Sequence, residues 1–356
     1  MKHPAIVIAE GYYKLPNGKG AHGLVRGTER FSVLSVIDRA CAGQDAGVAL
    51  DGKHRGIPIV DSMAAALSTG SQKATYAVIG VATHGGRLTA PLKQLVLEAI
   101  DAGLNIVNGL HDATSEDPEI AKAADKAGVE LTDLRKPKHK SELHFWHGEI
   151  VNVKTPRLAV LGTDCALGKR TTTRLLVQAL NDAGTQAEMI YTGQTGWMQG
   201  ARYGFVLDSV VNDFVSGELE HAIVSCEREV GPDIMLIEGQ SSLRNPSGPC
   251  GAEFLMSGGA RGVVLQHAIG REFFEGYEDL GFRIPPIEDE ISLIAHYGAR
   301  TLAVTVNGEH VSPKQAHTER QELESRLNLP VVDPVHQDVS VLVPVIQRFI
   351  KEEIDS

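Results

Sequence analysis

The residue types best suited to chemistry lie in one glycine-containing stretch near the middle of the chain. A short apolar run, residues 158–161, precedes this stretch, and a helical pattern over residues 169–183 follows it. A strand, a glycine loop and a helix in this order form an anion cradle, because glycines let backbone N–H groups turn inward and the helix N-terminus carries partial positive charge. The lysine of the stretch would add a full positive charge beside a phosphate. The stretch consists of Gly162, Thr163, Asp164, Cys165, Ala166, Leu167, Gly168, Lys169, Arg170, Thr171 and Thr172.

The loop departs in two ways from the standard P-loop pattern G-x-x-x-x-G-K-[ST]. Five residues, one more than in that pattern, separate Gly162 from Gly168. Arg170 stands where a Mg²⁺-binding hydroxyl normally follows the lysine, and Thr171 comes one place later. These changes predict phosphate binding without a well-placed metal ligand, so a pyrophosphate-bearing carrier such as coenzyme A fits as well as ATP. The alternative is a glycine-rich turn that binds no ligand.

Length and composition restrict the classes of function. The 356 residues are enough for two domains or one large one, and 42% hydrophobic residues provide ample core. The net charge of −11 argues against a general nucleic-acid partner or an anionic membrane surface. Four scattered cysteines without a C-x-x-C pair indicate reduced thiols in a cytoplasmic protein. The sequence shows no signal-peptide layout and no run of 18 apolar residues, so no membrane span is predicted.

Short apolar runs alternate with helical patterns along most of the chain, which predicts an α/β fold with parallel sheets. The alternation is interrupted once, so we divide the chain into a first domain over residues 1–135, a linker over 136–155 and a second domain over 156–356. Ligands bind at the carboxyl ends of strands in such sheets. No G-x-G-x-x-G follows the first strand, so a nicotinamide cofactor is not predicted. The strand ends of the first domain carry Asp38, His84 with Gly85 and Gly86, and His111 with Asp112.

The predicted linker is rich in lysine and histidine and has no clear helical period. It contains His144 and His147, and two histidines three residues apart can share a metal ion. A metal site needs more ligands than two, however, and no carboxylate or thiol has a matching spacing. The chain also lacks an H-E-x-x-H motif. We therefore predict no metal site.

Glycines mark two further features of the second domain. The segment 192–197 has two glycines and three hydrogen-bonding side chains directly after a predicted strand, which is typical of a ligand loop. A helical pattern over residues 207–230 contains Gly217. Because glycine in a helix interior is destabilising, we expect an interruption there.

An acidic residue ends a second apolar strand in this domain. The run from Asp233 to Ile237 is followed by Glu238 and Gly239. In a P-loop fold such an acid lies near the phosphates. Glu238 can then hold Mg²⁺, orient Lys169 or act as a general base. The structural alternative is a carboxylate that caps the next turn.

Other candidate residues follow predicted strands, where substrates bind in this architecture. They are Gln194, Arg202, Arg244 and His267. The two arginines suit bidentate recognition of carboxylates, and surface ion pairing is an equal alternative for either. His267 is a candidate proton carrier, with a purely structural histidine as the alternative. Asn307, at the end of a late strand, is a candidate for contacting an adenine edge.

Two segments of the second domain together carry a family resemblance. The phosphate loop through Thr172, taken with Leu236-Ile237-Glu238-Gly239-Gln240-Ser241-Ser242-Leu243, resembles the P-loop-containing D-glutamate N-acetyltransferase family, and the segment 192–196 supports the match. The resemblance implies a Rossmann-like N-terminal domain joined to a P-loop NTPase-like C-terminal domain. It also implies transfer of acetyl from acetyl-CoA to the amino group of D-glutamate or a related D-amino acid, in D-amino-acid catabolism.

Residue roles follow from this resemblance as hypotheses. The loop amides, Lys169 and Arg170 would bind the phosphates of acetyl-CoA. Glu238, or in second place His267, would remove a proton from the substrate ammonium, because only the neutral amine attacks a thioester. Gln194, Arg202 and Arg244 would bind the small amino-acid substrate, the two arginines through its carboxylates.

Two other classes of function stay open at this point. The loop is also similar to that of dethiobiotin synthetase, which has the same spacing but a threonine after the lysine, so an ATP- and Mg²⁺-dependent ligase or kinase is the alternative enzyme. A non-catalytic nucleotide sensor is the third class. The first domain is left with two expected roles, completing the substrate cleft or mediating assembly of a homo-oligomer.

Overall fold

The apolar runs form parallel strands, and helical segments connect most of them. The computed structural model describes residues 2–355 of the chain. Its strands are β1 (His3–Ile8), β2 (Phe31–Ile37), β3 (Ile59–Val60), β4 (Tyr76–Ile79), β5 (Asn105–Asn108), β6 (Leu131–Asp133), β7 (Arg157–Gly162), β8 (Ala187–Tyr191), β9 (Tyr203–Gly204), β10 (Ile234–Glu238), β11 (Gly262–Ala268), β12 (Arg300–Asn307) and β13 (Val331–Val332). Its helices are α1 (Lys19–Arg26), α2 (Ala46–Asp51), α3 (Met63–Leu67), α4 (Ala90–Asp101), α5 (Pro118–Ala127), α6 (Lys169–Asp182), α7 (Gln194–Met198), α8 (Asn212–Glu229), α9 (Ala252–Met256), α10 (Ile287–His296), α11 (Pro313–Leu327) and α12 (Val343–Ile354).

The chain packs as two units. The first unit contains residues 2–138 together with Gln194–Ala201, and the second contains His139–Gly193 with residues 202–355. Within the described residues, the first unit has a six-stranded sheet in the order β3-β2-β1-β4-β5-β6. The second has a seven-stranded sheet in the order β13-β12-β11-β7-β10-β8-β9. The paired strands run parallel in both sheets, which confirms the predicted fold class.

The phosphate-loop strand lies in the middle of its sheet. β7 pairs with β10 on one side and with β11 on the other. Both β7 and β10 are almost wholly buried, which explains why they are continuous apolar runs in the sequence. The loop after β7 therefore leaves the sheet between the ends of β10 and β11, where side chains from three strands meet.

Helix α1 is an element that the sequence pattern does not predict, because glycines weaken its helical signal. A Cβ atom on Gly20 would lie 2.7 Å from the carbonyl oxygen of Gly80. The N–H of Ala21 donates to that same oxygen over 2.7 Å. Gly20 thus permits a close approach between α1 and the end of β4, and tertiary packing overrides its poor helix propensity.

The interruption predicted at Gly217 is wrong, since α8 runs unbroken through this residue. A Cβ atom on Gly217 would lie 2.0 Å from the carbonyl oxygen of His144. The glycine therefore allows another segment to cross the helix at close range. A glycine at a close crossing and a glycine at a helix break look the same in the sequence, because the side chain is absent in both.

The crossing segment is a strap formed by residues 139–154, which lies along α8. Its backbone N–H groups donate to buried glutamates of the helix. The N–H of His144 lies 2.9 Å from Glu218 Oε1, and that of Ile150 lies 3.0 Å from Glu220 Oε1. Both glutamates are less than 5% exposed. They take the place of the strand or turn partners that a buried backbone needs.

The segment predicted as a ligand loop is helical from Gln194 onward and packs within the first unit. Met198 is 1% exposed and belongs to the hydrophobic core of that unit. The side chain of Gln199 donates to the carbonyls of Gly23 and Gly27 over 2.7 and 2.9 Å. Eight residues that follow β8 in sequence are therefore part of the first unit in space.

Candidate functional site

The phosphate loop connects β7 to α6 and has the backbone shape of an anion cradle. Ala166 and Gly168 have φ angles of +52° and +97°. Such left-handed residues turn neighbouring N–H groups toward the same side of the chain. Gly168 is also the N-cap of α6 and has no side chain to cap the first helical N–H groups. This end of the helix therefore suits an anionic ligand.

Lys169 links the loop to the end of β10. Its Nζ donates to the carbonyl oxygens of Asp164 and Ser241, each over 2.7 Å. The side chain is buried, and this burial lowers the pKa of Lys169 to about 8. The nearby Cys165 and Asp164 act in the opposite direction and raise the pKa. The Lys169 ammonium is thus held between two backbone carbonyls, one from the loop and one from the segment after β10.

The carboxylate of Asp164 is turned inward and is fully buried. Oδ1 accepts from Asn245 Nδ2 over 2.9 Å. Oδ2 accepts from Arg271 Nη1 and from the N–H of Glu275, both over 2.8 Å. The side chain of this loop residue therefore binds protein groups, and its carbonyl accepts from Lys169.

The threonines after the lysine face the protein interior. Thr172 is fully buried, and its hydroxyl donates to Gln266 Oε1 over 2.5 Å. Gln266 Oε1 also accepts from Thr305 over 2.7 Å. Thr171 is half-buried in the first turn of α6, one residue beyond the position of the usual metal-binding hydroxyl. Arg170 occupies that position, so the loop offers a second cation there in place of a Mg²⁺ ligand.

Glu238 ends β10 beside the loop and is 4% exposed. Oε2 accepts from the N–H of Thr192 over 3.1 Å, and the Thr192 hydroxyl donates to the Glu238 carbonyl over 2.7 Å. Burial raises the pKa of Glu238, and Arg170 together with the amides of Thr192 and Gly193 opposes that rise. A carboxylate with a raised pKa is a better proton acceptor at neutral pH than an ordinary glutamate.

His267 lies within β11, one residue before its end. Its Nδ1 is 3.0 Å from the hydroxyl of Thr163, so the imidazole helps to fix the start of the phosphate loop. Burial lowers the pKa of His267 to about 4. The ring is therefore neutral at pH 7, and at that pKa it is a weak acceptor for an ammonium proton.

The two arginines predicted to bind substrate carboxylates are both engaged with protein carboxylates. Arg202 is 67% exposed and pairs with Glu229 on the surface. Arg244 Nε lies 2.6 Å from Glu290 Oε2, and Glu290 is 3% exposed. Exposed pairs of the first kind add little stability, whereas the second pair satisfies a buried charge. Substrate binding by either arginine stays a prediction that requires one of these pairs to exchange.

Other predicted positions are placed as follows by their own contacts. Gln194 starts α7, and a Cβ atom on Gly109 would lie 3.0 Å from its Cγ, within the first unit. Asn307 Nδ2 donates to the carbonyl of Leu167 over 3.3 Å, so it supports the phosphate loop. His144 Nδ1 lies 2.7 Å from Glu218 Oε1. Within residues 2–355, no three His, Cys, Asp or Glu side chains are grouped to hold a metal ion.

The strand ends of the first unit are closed by its own backbone. Asp38, which follows β2, is 1% exposed and accepts from the N–H groups of Tyr13 and Ala40, each over 2.9 Å. At the neighbouring strand ends, Gly80 accepts the N–H of Ala21 from the first turn of α1. The Asp38 carboxylate and the Ala21 N–H are thus engaged by other groups of the same unit.

Sequence reasoning missed three residues that shape the loop, namely Ser241, Asn245 and Arg271. Ser241 has a φ of +40° and supplies a carbonyl to Lys169. Asn245 and Arg271 hold the Asp164 carboxylate from positions 81 and 107 residues away. The sequence offers one indication of their role, which is that they follow β10 and β11. Because these strands flank β7, the residues after them must lie near the loop that follows β7.

Comparison with known proteins agrees with this geometry. Residues 144–343 match the family model described as a domain of unknown function, DUF1611_C, P-loop domain. Residues 39–137 match the model described as DUF1611_N, Rossmann-like domain. A crystal structure of a DUF1611 family protein from Anabaena variabilis is 27% identical and covers 98% of this chain and 100% of its own, with a TM-score of 0.87.

Two curated relatives carry a functional name. The D-glutamate N-acetyltransferase of Tritonibacter scottomollicae is 28% identical over 273 residues, and that of a Pseudoalteromonas species is 31% identical over 273 residues. Each match covers 75% of this chain and 79% of the relative. The resemblance inferred from the two motifs is thereby confirmed. No helix in the described part of the chain has the length and apolar character needed to cross a membrane.

Proposed function

Because the chain belongs to the DUF1611 family, with its Rossmann-like and P-loop domains, we propose that it is an N-acetyltransferase acting on D-glutamate or a related D-amino acid. The observation that carries this proposal is the relatedness, over three quarters of the chain, to two proteins named D-glutamate N-acetyltransferase. We further propose that acetyl-CoA is the donor and that the reaction serves D-amino-acid catabolism.

The phosphate loop supports coenzyme A as the carrier. The left-handed loop and the uncapped start of α6 would suit a pyrophosphate, because helix N–H groups and the Lys169 ammonium lie there. Lys169 would exchange one of its two backbone carbonyls for a phosphate oxygen, which forms a charge-assisted hydrogen bond. Arg170 would contribute the second cation.

The threonines argue for a carrier and against nucleotide hydrolysis. In P-loop NTPases, a hydroxyl directly after the lysine binds Mg²⁺. Here Thr172 donates to the buried Gln266, and Arg170 takes the usual hydroxyl position. A loop of this kind would bind phosphates without supplying the usual metal ligand, and acyl transfer from acetyl-CoA needs no metal ion.

Glu238 is proposed as the general base. It would take a proton from the substrate ammonium, and the neutral nitrogen would then attack the thioester carbonyl carbon. The C–N bond forms and the C–S bond breaks. The nitrogen then loses its second proton and the departing coenzyme A thiolate takes up one, so the net release is the single proton first taken by Glu238. Burial raises the pKa of Glu238 in the direction that this role needs. N–H groups of a glycine loop would stabilise the oxyanion.

The positions of Lys169 and Glu238 place a constraint on the carrier. A Cβ atom on Gly239, next to Glu238, would lie 3.1 Å from Lys169 Cδ, so both functional residues are at one place on the sheet edge. The pantetheine arm is about as long as four extended residues, roughly 14 Å. A carrier that is held at Lys169 and reacts at Glu238 must therefore fold its arm back across the strand ends.

The first test is release of free thiol from acetyl-CoA with D-glutamate, L-glutamate or no acceptor. We expect release that requires D-glutamate. A parallel ATP–Mg²⁺ hydrolysis assay tests the ligase or kinase alternative. The Glu238→Gln variant, purified in the same way, is the control for contaminating transferases and should lose the D-glutamate-dependent release.

Each result of these assays has a distinct meaning. ATP turnover without thiol release would overturn the proposal in favour of a ligase or kinase. Thiol release with L-glutamate alone would retain the transferase and reverse the predicted handedness. No activity in either assay would contradict the proposed transferase, and binding of a nucleotide without turnover would then favour the sensor.

A further inference from the structure

The phosphate loop contains a charge of the wrong sign for its proposed ligand. Asp164 lies two residues after Gly162 in the loop, and its carboxylate is fully buried. A buried negative charge disfavours a nearby phosphate, because like charges repel more strongly where water is excluded. A compensating cation is therefore needed if the loop is to bind an anion.

Arg271 has the position and contacts of that cation. Its Nη1 lies 2.8 Å from Asp164 Oδ2 and 2.9 Å from the carbonyl oxygen of Cys165, so it contacts two successive loop residues. The side chain is 12% exposed. It follows β11, which pairs directly with β7, and a third contact joins it to Glu275 over 3.1 Å.

The other partners of the Asp164 carboxylate are neutral. Asn245 Nδ2 and the N–H of Glu275 donate hydrogen bonds to it but carry no charge. The Lys169 ammonium donates to the backbone carbonyl of Asp164 and not to its carboxylate. Among the hydrogen-bond partners of this carboxylate in the described structure, Arg271 is thus the one that carries positive charge.

We infer that Arg271 is a positioning residue that neutralises Asp164 and thereby makes the loop able to bind phosphate. This inference rests on the proposed function, since it concerns the same phosphate site. In this arrangement Arg271 does not touch the phosphate. The Asp164–Arg271 pair fixes the loop backbone, and Lys169 and Arg170 meet the ligand.

The test is a cycle of charge-changing variants whose binding is measured by calorimetry. The variants are Arg271→Gln, Asp164→Asn and the two combined, and the probes are acetyl-CoA, ATP–Mg²⁺ and inorganic pyrophosphate. We expect Arg271→Gln to weaken binding by roughly 30-fold, which is the Coulomb effect of one uncompensated charge if it acts over about 8 Å at an effective dielectric constant of 20. Adding Asp164→Asn should restore most of that loss, because it removes the uncompensated charge.

Arg283→Gln is the matched control. Arg283 also pairs with a glutamate, Glu272, in the segment after β11, but both side chains are at least 60% exposed. Its removal should leave probe binding unchanged. In thiol-release kinetics, Arg271→Gln should raise the KM for acetyl-CoA with little change in kcat, whereas a generally damaged fold would lower kcat and the melting temperature together.

Several outcomes would overturn the inference. A folded double variant that binds no better than Arg271→Gln would show that Arg271 acts through shape and not through charge. If Arg271→Gln does not fold, Asp164→Asn alone decides, since it should bind the probes at least as tightly as the wild type, and weaker binding overturns the idea.

The probes separate this inference from the proposed function. A wild type that binds ATP–Mg²⁺ but not acetyl-CoA would overturn the transferase, and the same variant cycle measured with ATP–Mg²⁺ would still test Arg271. Wild-type binding of acetyl-CoA that Arg271→Gln leaves intact would overturn the inference and leave the transferase standing. Binding of none of the three probes would overturn both.

Discussion

Each unit has a helix that follows a strand and starts with a glycine and a lysine, and the surroundings of these two helix starts differ. Gly18 and Gly168 are the N-caps of α1 and α6, and neither helix has a side-chain cap. Lys19 is exposed, and an N–H in the first turn of α1 is taken by the Gly80 carbonyl. Lys169 is buried, and its ammonium donates to a carbonyl of the left-handed loop and to the carbonyl of Ser241.

The acidic residues at the strand ends repeat this contrast. Asp38 accepts from two backbone N–H groups of its own unit. Glu238 also accepts from a backbone N–H, that of Thr192, but it lies beside Arg170 and has a raised pKa. The comparison teaches that a shared parallel architecture does not by itself make a ligand site. The site depends on whether the loops leave donors and charges for a ligand or use them on the protein.

The largest effect is expected at the two acids. Glu238→Gln should lower kcat by about 100-fold or more, because it removes the proposed base, with little change in the KM for acetyl-CoA. Asp38→Asn should leave kcat unchanged and lower the free energy of unfolding by about 1 kcal/mol, since it weakens hydrogen bonds to a charged acceptor. Steady-state kinetics and denaturant melts measure both. A raised KM with normal kcat in Glu238→Gln would instead place Glu238 at the phosphate end of the carrier.

The two lysines give the next largest contrast. Lys169→Ala should raise the KM for acetyl-CoA by about 100-fold, the scale of one lost charge-assisted hydrogen bond. Lys19→Ala is the matched control, because it occupies the same position at the start of α1. It should leave that KM unchanged. Equal effects in the two variants would contradict the contrast, and unchanged kinetics in Lys169→Ala would remove the phosphate-loop assignment.

The lowered pKa of Lys169 predicts how binding depends on pH. Burial brings this pKa to about 8, so the ammonium is present below pH 8 and is lost as pH rises above it. Affinity for coenzyme A should therefore be level below pH 8 and fall by up to about tenfold per pH unit above it. Calorimetric titrations between pH 7 and 9.5 measure this. Lys169→Ala should abolish the dependence, and a wild type with constant affinity would contradict the prediction.

The smallest expected effect concerns two glycines. Gly20→Ala should lower the free energy of unfolding by about 1–3 kcal/mol, because its Cβ would lie 2.7 Å from the Gly80 carbonyl. Activity per folded molecule should be unchanged. Gly168→Ala meets no atom within 4 Å, but its φ of +97° strains any side chain and should weaken acetyl-CoA binding. If Gly20→Ala weakened acetyl-CoA binding and Gly168→Ala lowered only the stability, the start of α1, and not that of α6, would be the ligand site.

Local patterns in the sequence predicted the fold class and the strand, loop and helix of the candidate phosphate site. Buried parallel strands are continuous apolar runs, and the phosphate loop carries its signal within eleven consecutive residues. Both features depend on neighbours along the chain. The same patterns placed Glu238 beside the loop, because β10 pairs with β7.

Features that depend on distant residues were not predictable from spacing. Arg271 meets Asp164 across 107 residues, and nothing in the pattern of either residue indicates the other. Gly217 was misread as a helix break because its true cause is the carbonyl of His144, which crosses α8 from the strap. In each case the residue contacts a partner that is distant in the sequence, so its role cannot be read from its neighbours along the chain.

The position of Met198 affects the order in which the two units can fold during synthesis. The core of the first unit is completed by this residue, and Gln199 caps carbonyls of Gly23 and Gly27. During synthesis, the ribosome must therefore produce β7, α6 and β8 of the other unit before the first unit can finish folding. For the same reason, recombination that exchanges the units at one breakpoint would separate Met198 from its core, so the two units have to be inherited together.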